Sequence, residues 1–306
     1  MVSKCVFQNH PFCEGPRNKV EHITKEKVAA FTYPDPSVGM TYSNINYTYV
    51  STDTFTCTTY DMAPGSRVEP PDYHDGDEVY IVIEGTLTMC NTEAGQVVQI
   101  KEGEALLMPR GAKHSGYNFG EVRTRTLAFI APTMFANQDF PIDELGKMNV
   151  YNGNLKPSDF PQYQFCGSKA TGEGTIADLG AWPVEGPKAR VSPLFHYIPE
   201  DRKLLLIAGQ NNPALMKVCV SNDYLTVAQI VIPSGGYGAR KTDANSHRGD
   251  GVIFLPKGEL AVLIHDTKET FYLKDEEALF IPKNVTYEMF NYGNEILTAV
   301  LCTTQL

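Results

Sequence analysis

The chain has 306 residues and 42% hydrophobic composition, enough to bury a core in each of two ordinary domains. Its net charge of −10 and pI near 5.2, with no Lys/Arg block or basic stripe, argue against nucleic acid or anionic membrane partners. Met1 to Arg17 lacks the apolar stretch of a signal peptide and no segment reaches the roughly 18 apolar residues of a membrane span, so a soluble cytoplasmic protein is expected.

In chain order, residues 1–48, with Pro11, Pro16, Pro34 and Pro36, read as an arm of the kind that crosses to a partner domain or subunit and covers sheet edges. A first domain is expected over 49–136, with strands at 55–60, 79–83, 96–100, 105–108 and 126–130. These runs are short, β-branched, aromatic or aliphatic, and most are separated by Gly, Pro, Asn or Asp. An inter-domain segment, 137–202, is rich in Pro, Gly, Asp and aromatics and holds the only tryptophan, Trp182. So long a connection is seldom free coil, and it is expected to carry edge strands and pack over one domain. A second domain, 203–306, repeats the rhythm at 226–232, 252–255, 260–264, 278–281 and 296–301. Many short strands at this spacing indicate an all-β sandwich or barrel in each domain. The seven cysteines (Cys5, Cys13, Cys57, Cys90, Cys166, Cys219, Cys302) are odd in number and widely spread, with no CxxC pair, and read as mostly buried thiols.

The two domains repeat each other at an interval of 173 residues. Asp72, His74, Gly76, Asp77, Glu78, Gly85, Gly103, Pro109, Gly111, His114 and Asn118 return as Asn245, His247, Gly249, Asp250, Gly251, Gly258, Glu276, Pro282, Asn284, Tyr287 and Asn291. Scaffold types mostly survive in both copies, whereas Glu78 and His114 have become Gly251 and Tyr287. His74 lies on the approach to the strand that Glu78 opens, and His114 follows a later strand after the turn Pro109-Arg110-Gly111. On paired strands of a closed barrel these positions can converge. Two imidazoles and a carboxylate with open positions suit Fe(II), the first expectation, and Mn, Ni, Zn or Co are also compatible. The alternative is a relict barrel whose Glu and His bond only each other, costly when buried.

These residues resemble the cupin superfamily, and more closely the bicupins. Gly103, Pro109, Gly111, His114 and Asn118 fit the second cupin motif, G-x5-P-x-G-x2-H-x3-N, in full. His74, Glu78 and Gly85 fit the last three elements of the first, G-x5-H-x-H-x(3,4)-E-x6-G, while Asp72 stands where the first histidine would be and Gly65 is near register. The resemblance covers roughly 50–132 and 223–303. It implies two double-stranded β-helix (jelly-roll) barrels, with a metal held by His74, Glu78, His114 and, in place of the missing histidine, Asp72. A carboxylate there is similar to the ligand set of some bicupin manganese enzymes, such as ureidoglycine aminohydrolases. Asp72 also follows Pro70-Pro71, where its side chain would instead cap local backbone N–H groups. One carboxylate leaves a divalent site at about +1 and two leave it near neutral. The second copy keeps one good ligand type of four, so His247 reads as a hydrogen-bonded barrel histidine and the second barrel as metal-free.

Tyr80, two residues past Glu78, faces the same side of its strand, as a catalytic proton donor, a substrate clamp or a packed aromatic; Asp72 is the other catalytic candidate, as a base. Arg110, Lys113 and Tyr117 flank His114, a cation there being able to hold a carboxylate or simply to face solvent. Val82 and Leu107 read as core or pocket wall, and His10, His22, His196 and His265 as structural or surface residues. The expected function is a metal-dependent enzyme acting on a small organic acid or a hydroxy or keto compound, first a non-haem dioxygenase. The alternatives are a redox-neutral isomerase, lyase, decarboxylase or hydrolase using Mn or Zn, and a non-catalytic ligand-binding or storage bicupin. The expected partner is a small-molecule substrate, with the chain a monomer or a homodimer.

Overall fold

The structure, a computed structural model, describes residues 17–32, 44–132, 134, 181–208, 214–235 and 247–305. Asn245, His10, Cys5, Cys13, Cys166 and the four arm prolines lie outside them. The chain forms two compact units. Among the described residues the first comprises 29–32, 44–134 and 187–202, and the second 17–28, 181–186 and 203–305.

In the first unit the strands are β2 (Ala29–Thr32), β3 (Asn44–Ser51), β4 (Thr56–Met62), β5 (Arg67–Asp72), β6 (Asp77–Glu84), β7 (Thr86–Asn91), β8 (Gln96–Lys101), β9 (Ala105–Met108), β10 (His114–Tyr117), β11 (Thr124–Ala131) and β12 (His196–Ile198). They build an antiparallel sheet ordered β12-β9-β6-β11-β4-β3-β2 and a second ordered β5-β10-β7-β8. The second unit contains β1 (Glu21–Ile23), β13 (Leu204–Ala208), β14 (Ala214–Ser221), β15 (Leu225–Ile232), β16 (Gly251–Leu255), β17 (Leu260–Ile264), β18 (Thr270–Leu273), β19 (Glu277–Ile281), β20 (Tyr287–Phe290) and β21 (Leu297–Thr304). Its sheets run β1-β19-β16-β21-β15-β14-β13 and β18-β17-β20; the large sheet repeats the first unit's order strand for strand, and the small one repeats β8-β7-β10, with no counterpart of β5 among the described residues. Each unit is therefore a double-sheet jelly roll.

Both large sheets take their outer strand from ahead of the other repeat. β1 pairs with β19, His22 opposite Leu279, and β12 pairs with β9, His196 opposite Leu107. The 187–202 segment is knitted onto the first barrel: Phe195 is fully buried in its core, the Phe195 N–H donates to Gln96 Oε1 (2.7 Å), and the Asn91 amide donates to the Pro193 carbonyl.

Strand composition follows position. β8, near the surface, alternates buried Gln96, Val98 and Ile100 with the exposed Gln99 and Lys101, the pattern of a sheet with one wet face. β4 is buried along its length. The β6–β7 hairpin turns on Gly85, left-handed at φ +80°, where a Cβ would lie 2.6 Å from the Arg123 carbonyl oxygen. The last motif residue does one job twice. Asn118 Nδ2 donates to the Met62 and Val122 carbonyls and its Oδ1 accepts from the Gly120 N–H; Asn291 repeats this with Ile232, Glu295 and Gly293. Cys57, Cys90, Cys219 and Cys302 are buried thiols. Among the described residues no helix is long and apolar enough to cross a membrane.

Candidate metal centre

Strand pairing brings the four motif positions together inside the first barrel. β10 lies between β5 and β7, so His114 sits directly opposite Asp72 on one side and Asn91 on the other. β6 lies between β9 and β11, which sets Glu78 opposite Met108 and Ile130. His74 stands in the connection between β5 and β6. Asp72, His74, Glu78 and His114 are all buried, at 1–4% exposure. Ligand atoms of Asp72, His74 and His114 lie within 4.8 Å of one another and could hold a metal ion. Glu78 Oε2 lies 3.3 Å from His74 Nε2 and 3.1 Å from His114 Nε2, and Asp72 Oδ2 is 3.8 Å from His74 Nε2.

The donors fit a cation. His114 Nδ1 lies 3.0 Å from the Ala112 carbonyl oxygen, which can only accept, so Nδ1 carries a proton. In the neutral ring Nε2 then turns a lone pair toward the Glu78 carboxylate, and two electron-rich atoms at 3.1 Å repel unless a proton or metal ion lies between them. Neither Glu78 oxygen accepts an aligned hydrogen bond. The side-chain charges answer one another. Burial works against the charged form of His74, but the Asp72 and Glu78 carboxylates outweigh it and raise its pKa to about 9. Burial likewise opposes the Glu78 carboxylate, and the two imidazoles outweigh it and lower its pKa to about 2. Asp72 divides its roles: Oδ1 accepts the Tyr73 N–H at 2.7 Å, the capping contact expected of a turn aspartate, while Oδ2 faces His74.

Around this cluster stand groups of two kinds. Tyr80 is buried with its ring 6.4 Å from that of His114, edge to face. Tyr60 on β4, which sequence reasoning missed, packs 5.9 Å from Tyr80 and shares a side-chain hydrogen bond with it. Burial, with the charges of Glu78 and Asp72, pushes the Tyr60 phenol well above its usual range and keeps it protonated. Asp77 is scaffold: fully buried, it accepts the Arg110 N–H (2.9 Å) and the Arg190 guanidinium (2.9–3.2 Å). Arg190, also missed, lies 113 residues from Asp77, and no local pattern links them. Arg110 is exposed and pairs with Asp75, and Lys113 lies 3.7 Å from Glu93. Val82 lines the core, whereas Leu107 alternates with Leu106 and Met108 and faces the opposite side of its sheet.

Among the described residues, the matching positions 247, 251 and 287 of the second barrel hold no such cluster. Burial lowers the pKa of His247, whose Nδ1 donates to the Gly249 carbonyl (2.8 Å), and the buried Tyr287 ring lies 5.7 Å away.

Two sheets, a shared strand order and the motif residues at one end of the first barrel define a cupin architecture. Residues 58–130 match the family model described as a cupin domain, and with its second barrel the chain is a bicupin in fold. No curated protein matches the sequence. Among solved structures it is similar to oxalate decarboxylase from Lactobacillus farciminis in its formate complex (13% identity, TM-score 0.58, covering 94% of this chain and 86% of that one). It is also similar to AerE from Microcystis aeruginosa (11%, 0.55, 90% and 96%) and to protein YlbA from E. coli (10%, 0.55, 94% and 94%).

Proposed function

We propose that this protein is a metal-dependent cupin enzyme that carries out a redox-neutral step, of lyase, isomerase or hydrolase type, on a small organic acid. The first barrel would hold a divalent ion, such as Mn or Zn, through Asp72, His74, Glu78 and His114. The observation that carries this reading is the Asp72–His114 register. It sets a second carboxylate against two imidazoles and Glu78, giving a near-neutral site with fewer positions to share between O2 and substrate than a three-ligand site has.

When bound, the ion supplies Lewis acidity that lowers the C–H or O–H pKa of a chelating substrate. The chain's own part is to place proton carriers beside that position. Tyr80 and Tyr60 form a buried phenol pair, and burial, with the nearby acidic charges, keeps Tyr60 protonated, so the pair can hold a hydrogen-bond donor toward a developing anion. Burial of all four ligand groups excludes water from the step. The fold likeness to an oxalate decarboxylase supports decarboxylation as one member of this class.

A non-haem Fe(II) dioxygenase is the second reading. It is favoured by the bond from the Tyr73 N–H to Asp72 Oδ1, which would leave a site of two histidines and one glutamate. Metal analysis by mass spectrometry, followed by aerobic and anaerobic substrate-depletion assays, separates them. Mn or Zn with turnover independent of O2 supports the first, and Fe with strict O2 dependence supports the second. Absence of stoichiometric metal overturns both in favour of a ligand-binding bicupin.

A further inference from the structure

Beyond the acidic cluster, the inner wall of the first barrel is polar where the matching wall of the second is apolar. Asn46 and Thr48 on β3 lie opposite Tyr60 and Thr58 on β4, and Tyr60 lies opposite Thr126 on β11. Directly opposed residues share a face, and Tyr60 belongs to the barrel core, so Asn46, Thr48 and Thr126 point inward. They are 1%, 5% and 1% exposed. Among the described residues, both amide atoms of Asn46 and the hydroxyls of Thr48 and Thr126 have no hydrogen-bond partner. In the second barrel the same register positions are Met216, Val218 and Ala299, all packed in its apolar core around Ile230.

A buried amide or hydroxyl left unpaired gives up its hydration with nothing in return, and four such atoms on one wall call for a partner. The wall also has a length. Val82, opposite Thr126, is four residues beyond Glu78 on β6, about 13 Å at roughly 3.3 Å per residue. Asn, Thr and Tyr line it, with no Lys or Arg among these residues, so a charged group at its far end would be buried without a counter-ion.

We propose that this wall binds the neutral end of the substrate: an organic acid longer than oxalate, its acid group at the Asp72–His114 cluster and a hydroxyl or amide at its other end. Asn46 presents one donor and one acceptor face to an amide, and Thr48 and Thr126 complete its hydrogen bonds. The proposal rests on the function given above and narrows its substrate class.

The test compares half-amides of dicarboxylic acids, from malonamate to adipamate, with the diacids of equal length, by calorimetric titration of the Mn(II)-loaded and the metal-free full chain. The half-amide of best-fitting length is expected to bind at least tenfold tighter than its diacid. N46M and T126A, which install the second barrel's own residues, are expected to bring that ratio close to one without changing metal content. Equal binding of half-amides and diacids by the wild type overturns the proposal, as does full selectivity retained in both variants; ordered water would then be the wall's partner. Metal content measured on the same samples keeps the two ideas apart. A chain that takes up no metal defeats the enzymatic reading, while amide selectivity in that chain still supports the wall.

Discussion

The two barrels agree down to single hydrogen bonds at Asn118 and Asn291, and differ at the positions facing the barrel interior. His247 and Tyr287 keep the ring arrangement of His74 and His114, with centroids 5.7 against 5.3 Å apart and planes at 58° in both. The decisive change is at Gly251. A Cβ there would lie 2.8 Å from His247 Cε1 and 3.0 Å from Nε2, so the imidazole occupies the space a side chain at the glutamate position would need. The wall around this ring is aliphatic. A binding centre of this kind is thus a set of polar groups that a barrel holds against the cost of burying them, and the second barrel shows the same scaffold without that cost.

The largest expected effect tests scaffold against site. In R190M, the fully buried Asp77 loses the Arg190 guanidinium, which is expected to cost about 3–5 kcal/mol. At the matching Asp250, half-buried and bonded to the Lys283 N–H, D250N is expected to cost about 1 kcal/mol. Chemical denaturation of both variants checks the contrast, and equal losses would break it. Next, H114A is expected to lower affinity for Mn(II) more than about 100-fold, whereas H247A leaves it unchanged; competition titration with a chelating dye reads both. Unchanged affinity in H114A would refute the ligand assignment. G251E is expected to destabilise the chain by about 1–3 kcal/mol through overpacking against His247, seen as a fall in Tm. A stable G251E that bound a second metal ion would show that the second barrel needs only its carboxylate back.

The smallest effect is in pH. Burial lowers the pKa of His196 in the first unit to about 4 and also lowers that of His247 in the second. The unfolded chain, with its histidines near 6.5, therefore binds more protons between about pH 6.5 and 4. The contribution of these two rings is full above that window and falls as pH drops through it, by at most about 1.4 kcal/mol per pH unit for each histidine. Denaturation midpoints across pH should flatten in H196Q and H247Q. An unchanged slope in both would mean that neither ring is neutral in the folded chain.

Strands at 105–108 and 260–264 are legible in the sequence to the residue, because aliphatic runs bounded by Gly, Pro or charge have few other uses. β10 is not: His114-Ser115-Gly116-Tyr117 has little strand propensity and is extended because β5 and β7 pair with it on both sides. β3, with Asn44, Asn46 and Thr48 turned inward, has no apolar run to mark it as a strand and begins within the residues read as an arm. Tyr60 lies inside an expected strand, yet only the β4–β11–β6 register brings it beside Tyr80, so no spacing could single it out.

The sequence by itself determined the duplication, an all-β sandwich or barrel class and His74, Glu78 and His114 as residues worth testing, because hydrophobic rhythm, turn glycines and spaced His and Glu are local facts; the resemblance to cupins added the jelly-roll form and Asp72. Tertiary structure decided which strands neighbour one another. That choice sets Asp72 against His114, delivers Arg190 to Asp77, fills the Glu78 space of the second barrel with an imidazole, and lines the first with polar groups. Each of these depends on cross-strand register or on chain segments far apart in sequence, and burial gives such contacts their energy.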